Sequence, residues 1–378
     1  MSLIVDEHRL YLSDSVRLDT FARAVAATVR PGDVVVDLGT GTGLLALMAC
    51  RAGARHVYAI ELSGMVEIAR ALAAANGFSD RVTFLHQHSR DVQLPEPADV
   101  LLADLVGGMG FEAGLFPTYD DARRFLKRGA RTVPRALTLS AAPVEAPDLF
   151  SEVQFWSRGF AGFNSEPVLK WACNTGYPRL LEPSAVLSSQ SVSTVTDPVG
   201  GARLIRLQGR STIERDGTIH GIGCWFDAEL APGVRLSNAP GAAIRLNRRN
   251  VFLPLNAAVP VSRDDWVDIH LRIRPFDQLV SWDVTVHTES GDVRERHSTL
   301  DGMLLSREEM HSHTPASIPR LTRRGEARRA ILELCDGHRT LAAIEREVHA
   351  RHPDLFPVLG EAQAFVAEVV ARYSEPGP

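Results

Sequence analysis

Asp37, Gly39, Gly41, Gly43 and Glu61 are the residues whose types and spacing could do chemistry most directly. Glycines at every second position let a backbone turn tightly and approach a ligand where a Cβ would collide. The carboxylate of Asp37, just ahead of the turn, can neutralise an ammonium group. Glu61, at the end of the next apolar segment, can accept hydrogen bonds from both hydroxyls of a ribose. A dinucleotide turn needs a further glycine at position 44, where Leu44 stands, and no G-K-[ST] follows for a triphosphate. The set suits a small zwitterionic nucleoside, and S-adenosylmethionine answers that description.

Such a site needs a strand, a turn and a helix to hold it. Val34 to Val36 are β-branched, as in a buried parallel strand. Leu44 to Cys50 read as a helix whose free N–H groups face the turn, and residues 56–60 as the second strand. Helical spacing recurs over 18–29 and 65–77, and strands are expected over 82–87, 99–104 and 136–145. This alternation predicts an α/β domain over 1–145, with ligands at the carboxyl ends of its strands. From 146 to 303 the period shortens to two, with Gly, Pro, Asn and Asp between runs, which predicts an antiparallel β-domain, sandwich or barrel. Residues 304–319 read as a linker and 320–378 as a small helical domain.

The chain has 378 residues and a formal net charge of −5, which gives no general pull toward nucleic acid. Cys50, Cys173, Cys224 and Cys335 are scattered, with no His/Cys cluster at zinc spacing, so no metal site is expected. They read as thiols in a reducing compartment. The first ten residues carry charge too early for a signal peptide, and no apolar run reaches membrane-spanning length. A cytoplasmic protein without a membrane or nucleic-acid partner is the expectation.

At several points the sequence resembles the protein arginine methyltransferases. His8, Leu12, Asp14, Val16 and Arg17 have the spacing of that family's I-H-x-x-M-L-x-D-x-V-R segment. VVVDLGTGTGLL followed by AGARHVYAIELS is close to its cofactor motif, and RDVQLP (90–95) matches its E-E-V-E-L-P. LLADLVGG (101–108) occupies the place of I-I-S-E-W-M-G, while HGIGCWFDAEL and SNAP match strands of its barrel. The resemblance implies a class I, Rossmann-like methyltransferase domain followed by an antiparallel β-barrel. It implies a cofactor site for S-adenosylmethionine lined by His8, Arg17, Asp37, Gly39, Gly41, Gly43, Leu44, Glu61, Leu62, Ser89 and Arg90. Arg17 would pair with the methionine carboxylate. The insertion at about 157–182 stands where the family has its dimerisation arm, which implies a homodimer.

The departures concern the acceptor. The family holds a substrate guanidinium between two glutamates; here the first is Asp104, and Glu112 is nearest to the second. These two are the candidate catalytic residues. The family's T-H-W should fall within 244–250, where neither its His nor its Trp is present. A helix bearing two tyrosines, which covers the family's pocket, has no expected counterpart, since only a few residues precede His8.

Residues 330–348 resemble the helical part of PqqD-like leader-peptide-binding domains, through an I-L-x-L-x-D-G-x-x-T turn. The strands that normally precede those helices are not evident. Arg320, Arg323, Arg324, Arg328, Arg329, Arg339, Arg346 and Arg351 make the segment basic, which suits an acidic leader. The leading expectation is therefore an S-adenosylmethionine-dependent N-methyltransferase that modifies a ribosomally synthesised peptide, at a terminal amine or an arginine side chain. The alternatives are a protein arginine N-methyltransferase acting on a protein substrate, and a non-catalytic cofactor-binding scaffold.

Overall fold

The computed structural model describes residues 4–304 and 317–374, and most of the expected linker lies outside the described residues. The chain divides into two compact units, Met1–Met303 and Leu304–Pro378.

The first unit begins with α1 (Ile4–Leu12) and α2 (Ser15–Thr28). Asp14 caps α2, its side chain accepting from the Arg17 N–H at 3.2 Å, which satisfies one of the helix's orphan donors. An alternating series follows: β1 (Val34–Leu38), α3 (Leu44–Arg51), β2 (His56–Glu61), α4 (Met65–Ala75), β3 (Val82–His86), β4 (Ala98–Leu102), α5 (Leu115–Ala122) and β5 (Leu126–Val133). These strands form one parallel sheet in the order β3-β2-β1-β4-β5. All five residues of β1 are buried, as a central strand covered on both faces requires. The order reverses between β1 and β4, so a crevice opens beyond their carboxyl ends.

The expected strand over 136–145 is real but belongs elsewhere. Here β6 (Ala136–Val144) runs antiparallel to its neighbours in the second domain. The fifth parallel strand is β5, whose polar, half-exposed pattern hides it from a search for apolar runs.

The chain then passes through α6 (Pro147–Val153), α7 (Leu169–Ala172), β7 (Tyr177–Arg179), β8 (Val192–Thr196), β9 (Ile205–Thr212), β10 (Gly217–Ala231), β11 (Val234–Ser237), β12 (Asn250–Val261), β13 (Trp266–Arg274), β14 (Leu279–Thr288) and β15 (Gly291–Ser298). They form two antiparallel sheets, β7-β12-β10-β6-β8 with β11 on β10, and β15-β14-β13-β9. The antiparallel domain, expected as a sandwich or barrel, is thus built of two sheets. Fully buried Trp282 on β14 donates from Nε1 to the Pro254 carbonyl on β12 at 3.1 Å, which ties one sheet to the other. Within the expected arm, β7 pairs with β12, while Phe160 and Phe163 stay exposed.

The second unit holds α8 (Arg323–Leu334), α9 (Leu341–Arg351) and α10 (Leu359–Tyr373), with no strand among the described residues. Thr322 and Thr340 cap α8 and α9. Ile331, Leu334, Ile344, Val348, Phe356, Phe365 and Val369 make a core of its own. Asp336 accepts the N–H groups of His338 and Arg339, which folds the expected polar turn.

Candidate active site

The turn after β1 is held from below. Gly39 and Thr40 donate their N–H groups to the Ile60 carbonyl at 2.9 and 3.1 Å, which fastens the turn to the end of β2. Gly39, Gly41 and Gly43 all take positive φ, at 65°, 53° and 80°, where L side chains are strained. A Cβ at Gly41 would stand 2.6 Å from Cε1 of His8, so α1 closes directly over the turn. A Cβ at Gly43 would meet that of Ala69 at 3.1 Å; this glycine serves the packing of α3 on α4.

Two cavities adjoin along this turn. One, of about 350 Å³, is lined by His8, Tyr11, Arg17, Gly39, Leu44 and Glu61, with Asp104 and Arg248 at its far end. The other, of about 180 Å³, is lined by Leu62, Gln87, His88 and Ser89. Gly39, Glu61 and Leu105 belong to both. Glu61 is fixed by backbone: Oε2 accepts from Gly41 N–H at 2.9 Å and Oε1 from Ser63 N–H at 2.8 Å. Each oxygen keeps lone-pair capacity for a ribose hydroxyl. This pair of spaces could hold a nucleoside with an amino-acid tail.

Two expected ligand residues lie elsewhere. Asp37 is fully buried and turned into the loop, where its Oδ2 accepts from the Thr40 hydroxyl and from Ala46 N–H. It shapes the turn and the start of α3 and lines neither cavity. Burial pushes its carboxyl up to about 7, against these hydrogen bonds, and its Oδ1 has no partner. Arg90 is exposed and lines neither cavity, because the short turn Ser89–Asp91 directs it outward.

Arg17 forms an ion pair with Asp104 through Nε and Nη2. One edge of the expected carboxylate clamp is thus spent on the first candidate catalytic residue. Glu112 lines a separate cleft of about 850 Å³. Its carboxylate accepts from Met109 N–H at 2.8 and 3.0 Å and from Phe111 N–H at 3.1 Å, so it staples its own loop. Gly107 leaves the space in which a Cβ would collide with that carboxylate. Burial raises the Glu112 carboxyl above its ordinary value despite those amides.

Tyr11, Arg17 and Arg248 line both the nucleoside cavity and the large cleft, so the two spaces meet at these three side chains. Tyr11 lies under both guanidinium groups, 4.6 Å from Arg17 and 5.6 Å from Arg248 to the ring centroid. Arg248 comes from the segment where T-H-W was sought. That segment is positioned by buried amides. Asn238 Nδ2 donates to the carbonyls of Gly108 at 2.8 Å and Arg249 at 3.1 Å, tying the Glu112 loop to it. Asn250 Nδ2 donates to the Asn238 carbonyl at 2.7 Å, and Asn247 N–H donates to Asp14 Oδ2 at 3.1 Å. Sequence reading missed Tyr11, Arg248, Gln87 and His88. Tyr11 had one available signal, its place one helical turn after His8.

Comparison with known proteins extends this picture. The ribosomal protein L11 methyltransferase family matches residues 20–129. A probable protein arginine N-methyltransferase 6 of Arabidopsis thaliana is 30% identical over 239 residues, 59% of this chain and 54% of the relative. A probable histone-arginine methyltransferase 1.3 of the same plant is 33% identical over 254 residues, 61% of this chain and 47% of the relative. The chain thus spans about half the length of these relatives. Among solved structures, protein arginine methyltransferase 10 of Arabidopsis thaliana superposes with a TM-score of 0.65 at 22% identity, over 76% of this chain and 96% of that one. The Trypanosoma brucei PRMT1 enzyme–prozyme heterotetramer with AdoHcy gives 0.69 at 17% identity, over 77% and 97%. In sequence the chain is similar to arginine methyltransferases over some three fifths of its length, and it shares their fold.

Proposed function

We propose that this chain is an S-adenosylmethionine-dependent N-methyltransferase of the arginine-methyltransferase kind, acting on a nitrogen of a protein substrate. The observation that carries the reading is the meeting of the cavity at the glycine turn with a large cleft at Tyr11, Arg17 and Arg248, the Arg17 side chain being paired with Asp104. The similarity to arginine methyltransferases supports it.

When bound, S-adenosylmethionine supplies a methyl group activated by a sulfonium. The chain supplies position and charge. Glu61 orients the ribose, Gly39 and Gly41 let the backbone approach, and α1 with His8 excludes water from above. Asp104 lines the nucleoside cavity and is paired with Arg17 of the junction, where a carboxylate can orient a cationic nitrogen and take its proton. Glu112, held by two amides, shapes the acceptor loop. We infer a homodimer from the exposed Phe160 and Phe163 on the arm, and a cytoplasmic setting from four free thiols. No helix among the described residues is long and apolar enough to cross a membrane.

The recruited-peptide reading gains no support from the second unit. No strand for docking a leader occurs among its described residues. Arg328, Arg329, Arg339 and Arg351 are ion-paired with Glu368, Glu333, Asp336 and Glu347, so much of the expected basic surface is neutralised within the unit. The protein-substrate alternative therefore takes first place. Mass spectrometry of an Arg-Gly-rich peptide and of a peptide with a free terminal amine, each incubated with chain and S-adenosylmethionine, tests it. Methyl mass on the arginine peptide is expected; methyl mass on the terminal amine alone would return the first place to the peptide-amine reading.

A further inference from the structure

Arg248 brings a guanidinium to both cavities. Among the described residues its side chain makes no hydrogen bond and no ion pair; the Tyr11 ring lies 5.6 Å away, and Asp104, Arg17 and Glu112 are near enough for their charges to act on it. It is half-buried, and it points where the nucleoside cavity opens into the acceptor cleft. Removing a guanidinium from water without an anion is costly, so such a group marks a place completed by a ligand.

The carboxylates of the chain that face it are already engaged. Asp104 is ion-paired with Arg17, and Glu112 is bonded to the amides of Met109 and Phe111. Arg17, against the same Tyr11 ring, adds a second positive charge. Burial lowers the affinity of Arg248 for its proton, which an anion bound beside it would reverse. Nor is its position loose. Asn238 and Asn250, both fully buried, hold the segment from behind, and Asn247 is tied to the cap of α2.

We infer that Arg248 is a carboxylate-binding residue at the junction of the two cavities, a second guanidinium beside Arg17 for a ligand that carries a carboxylate there. The inference rests on the proposed function, and it adds to the α/β domain's own cofactor residues a contact from the β-domain. Two ligands could bring that group: the amino-acid end of the nucleoside, or an acceptor with a carboxylate near its nitrogen.

Calorimetry on the full chain and on Arg248→Gln separates them. The first pair of probes is S-adenosylhomocysteine and 5′-methylthioadenosine, a nucleoside thioether that lacks the amino-acid end. If the nucleoside brings the carboxylate, Arg248→Gln weakens S-adenosylhomocysteine by about 10- to 100-fold, the range of a charge-assisted hydrogen bond, and leaves 5′-methylthioadenosine within about threefold. The second pair is arginine and agmatine, which lacks the carboxylate, titrated into chain saturated with S-adenosylhomocysteine. If the acceptor brings it, the variant loses the preference for arginine over agmatine instead. Arg248→Lys, which keeps the charge but not the fork, is expected to fall between. Unchanged 5′-methylthioadenosine binding shows that the variant is folded. If Arg248→Gln shifts neither pair, the inference is overturned and the proposed function stands. A wild-type chain that binds neither nucleoside overturns both.

Discussion

The nucleoside cavity and the acceptor cleft adjoin, yet they are built on different plans. The cavity is lined by the ends of β1, β2 and β4, neighbours in one parallel sheet, and is closed by α1 and α2. Its geometry is set by backbone: two N–H groups on the Ile60 carbonyl, and two more on the Glu61 carboxylate. The cleft is assembled from α1, the loop after β4, the segment before β12, and β14. What registers those parts is a set of side-chain amides and caps, Asn238, Asn250 and Asp14. A site set by a sheet tolerates drift in its surroundings. A site set by side chains can change its ligand by changing a few of them, and here the departures from the arginine-methyltransferase pattern concentrate.

The largest expected effect separates chemistry from binding. Asp104→Asn is expected to lower methyl transfer by about 10²-fold or more, while S-adenosylhomocysteine affinity by calorimetry changes little. Loss of binding in step with turnover would place Asp104 in the nucleoside site alone. Next, Glu61→Gln should cost about 10- to 100-fold in nucleoside affinity, since a charged acceptor of two hydroxyls is replaced. Comparable binding by the variant would break the assignment of the ribose.

Asn238→Ala probes the other plan. It leaves the Gly108 and Arg249 carbonyls and the Phe226 N–H without their side-chain partner, at a cost of about 2–4 kcal/mol by chemical denaturation. Turnover should fall while nucleoside affinity holds within about threefold. Equal loss of both would mean that the two sites share one scaffold.

The smallest effect concerns pH. Asp37 has its carboxyl raised from 3.8 to about 7 by burial. The unfolded chain gives up this proton first, so the contribution to stability is full below about pH 4 and is lost as pH rises toward 7. Asp37→Asn should flatten that part of the stability curve measured by thermal melting. An unchanged slope would show that Asp37 ionises freely.

The same contrast explains what could be read in the sequence. The turn, Glu61, the parallel strands and the antiparallel runs were legible because glycine spacing and strand periodicity report backbone geometry locally. Glu112 was found by position, but its role as a loop staple depends on where Met109 and Phe111 point their amides. Arg248 was invisible because its significance lies in what it meets, Tyr11 from the other end of the chain. Asp37 misled because a carboxylate ahead of a glycine turn can face either the ligand or the loop, and spacing alone does not choose. The β6 strand misled for a related reason, since a buried apolar run looks alike in either sheet.

The most direct test of the whole account is a crystal structure of the chain with S-adenosylhomocysteine. The ribose is expected on Glu61, the base beside Gln87–Ser89, and the amino-acid end at the junction of Tyr11, Arg17 and Arg248. A nucleoside seated elsewhere, or with its amino-acid end turned away from that junction, would contradict it.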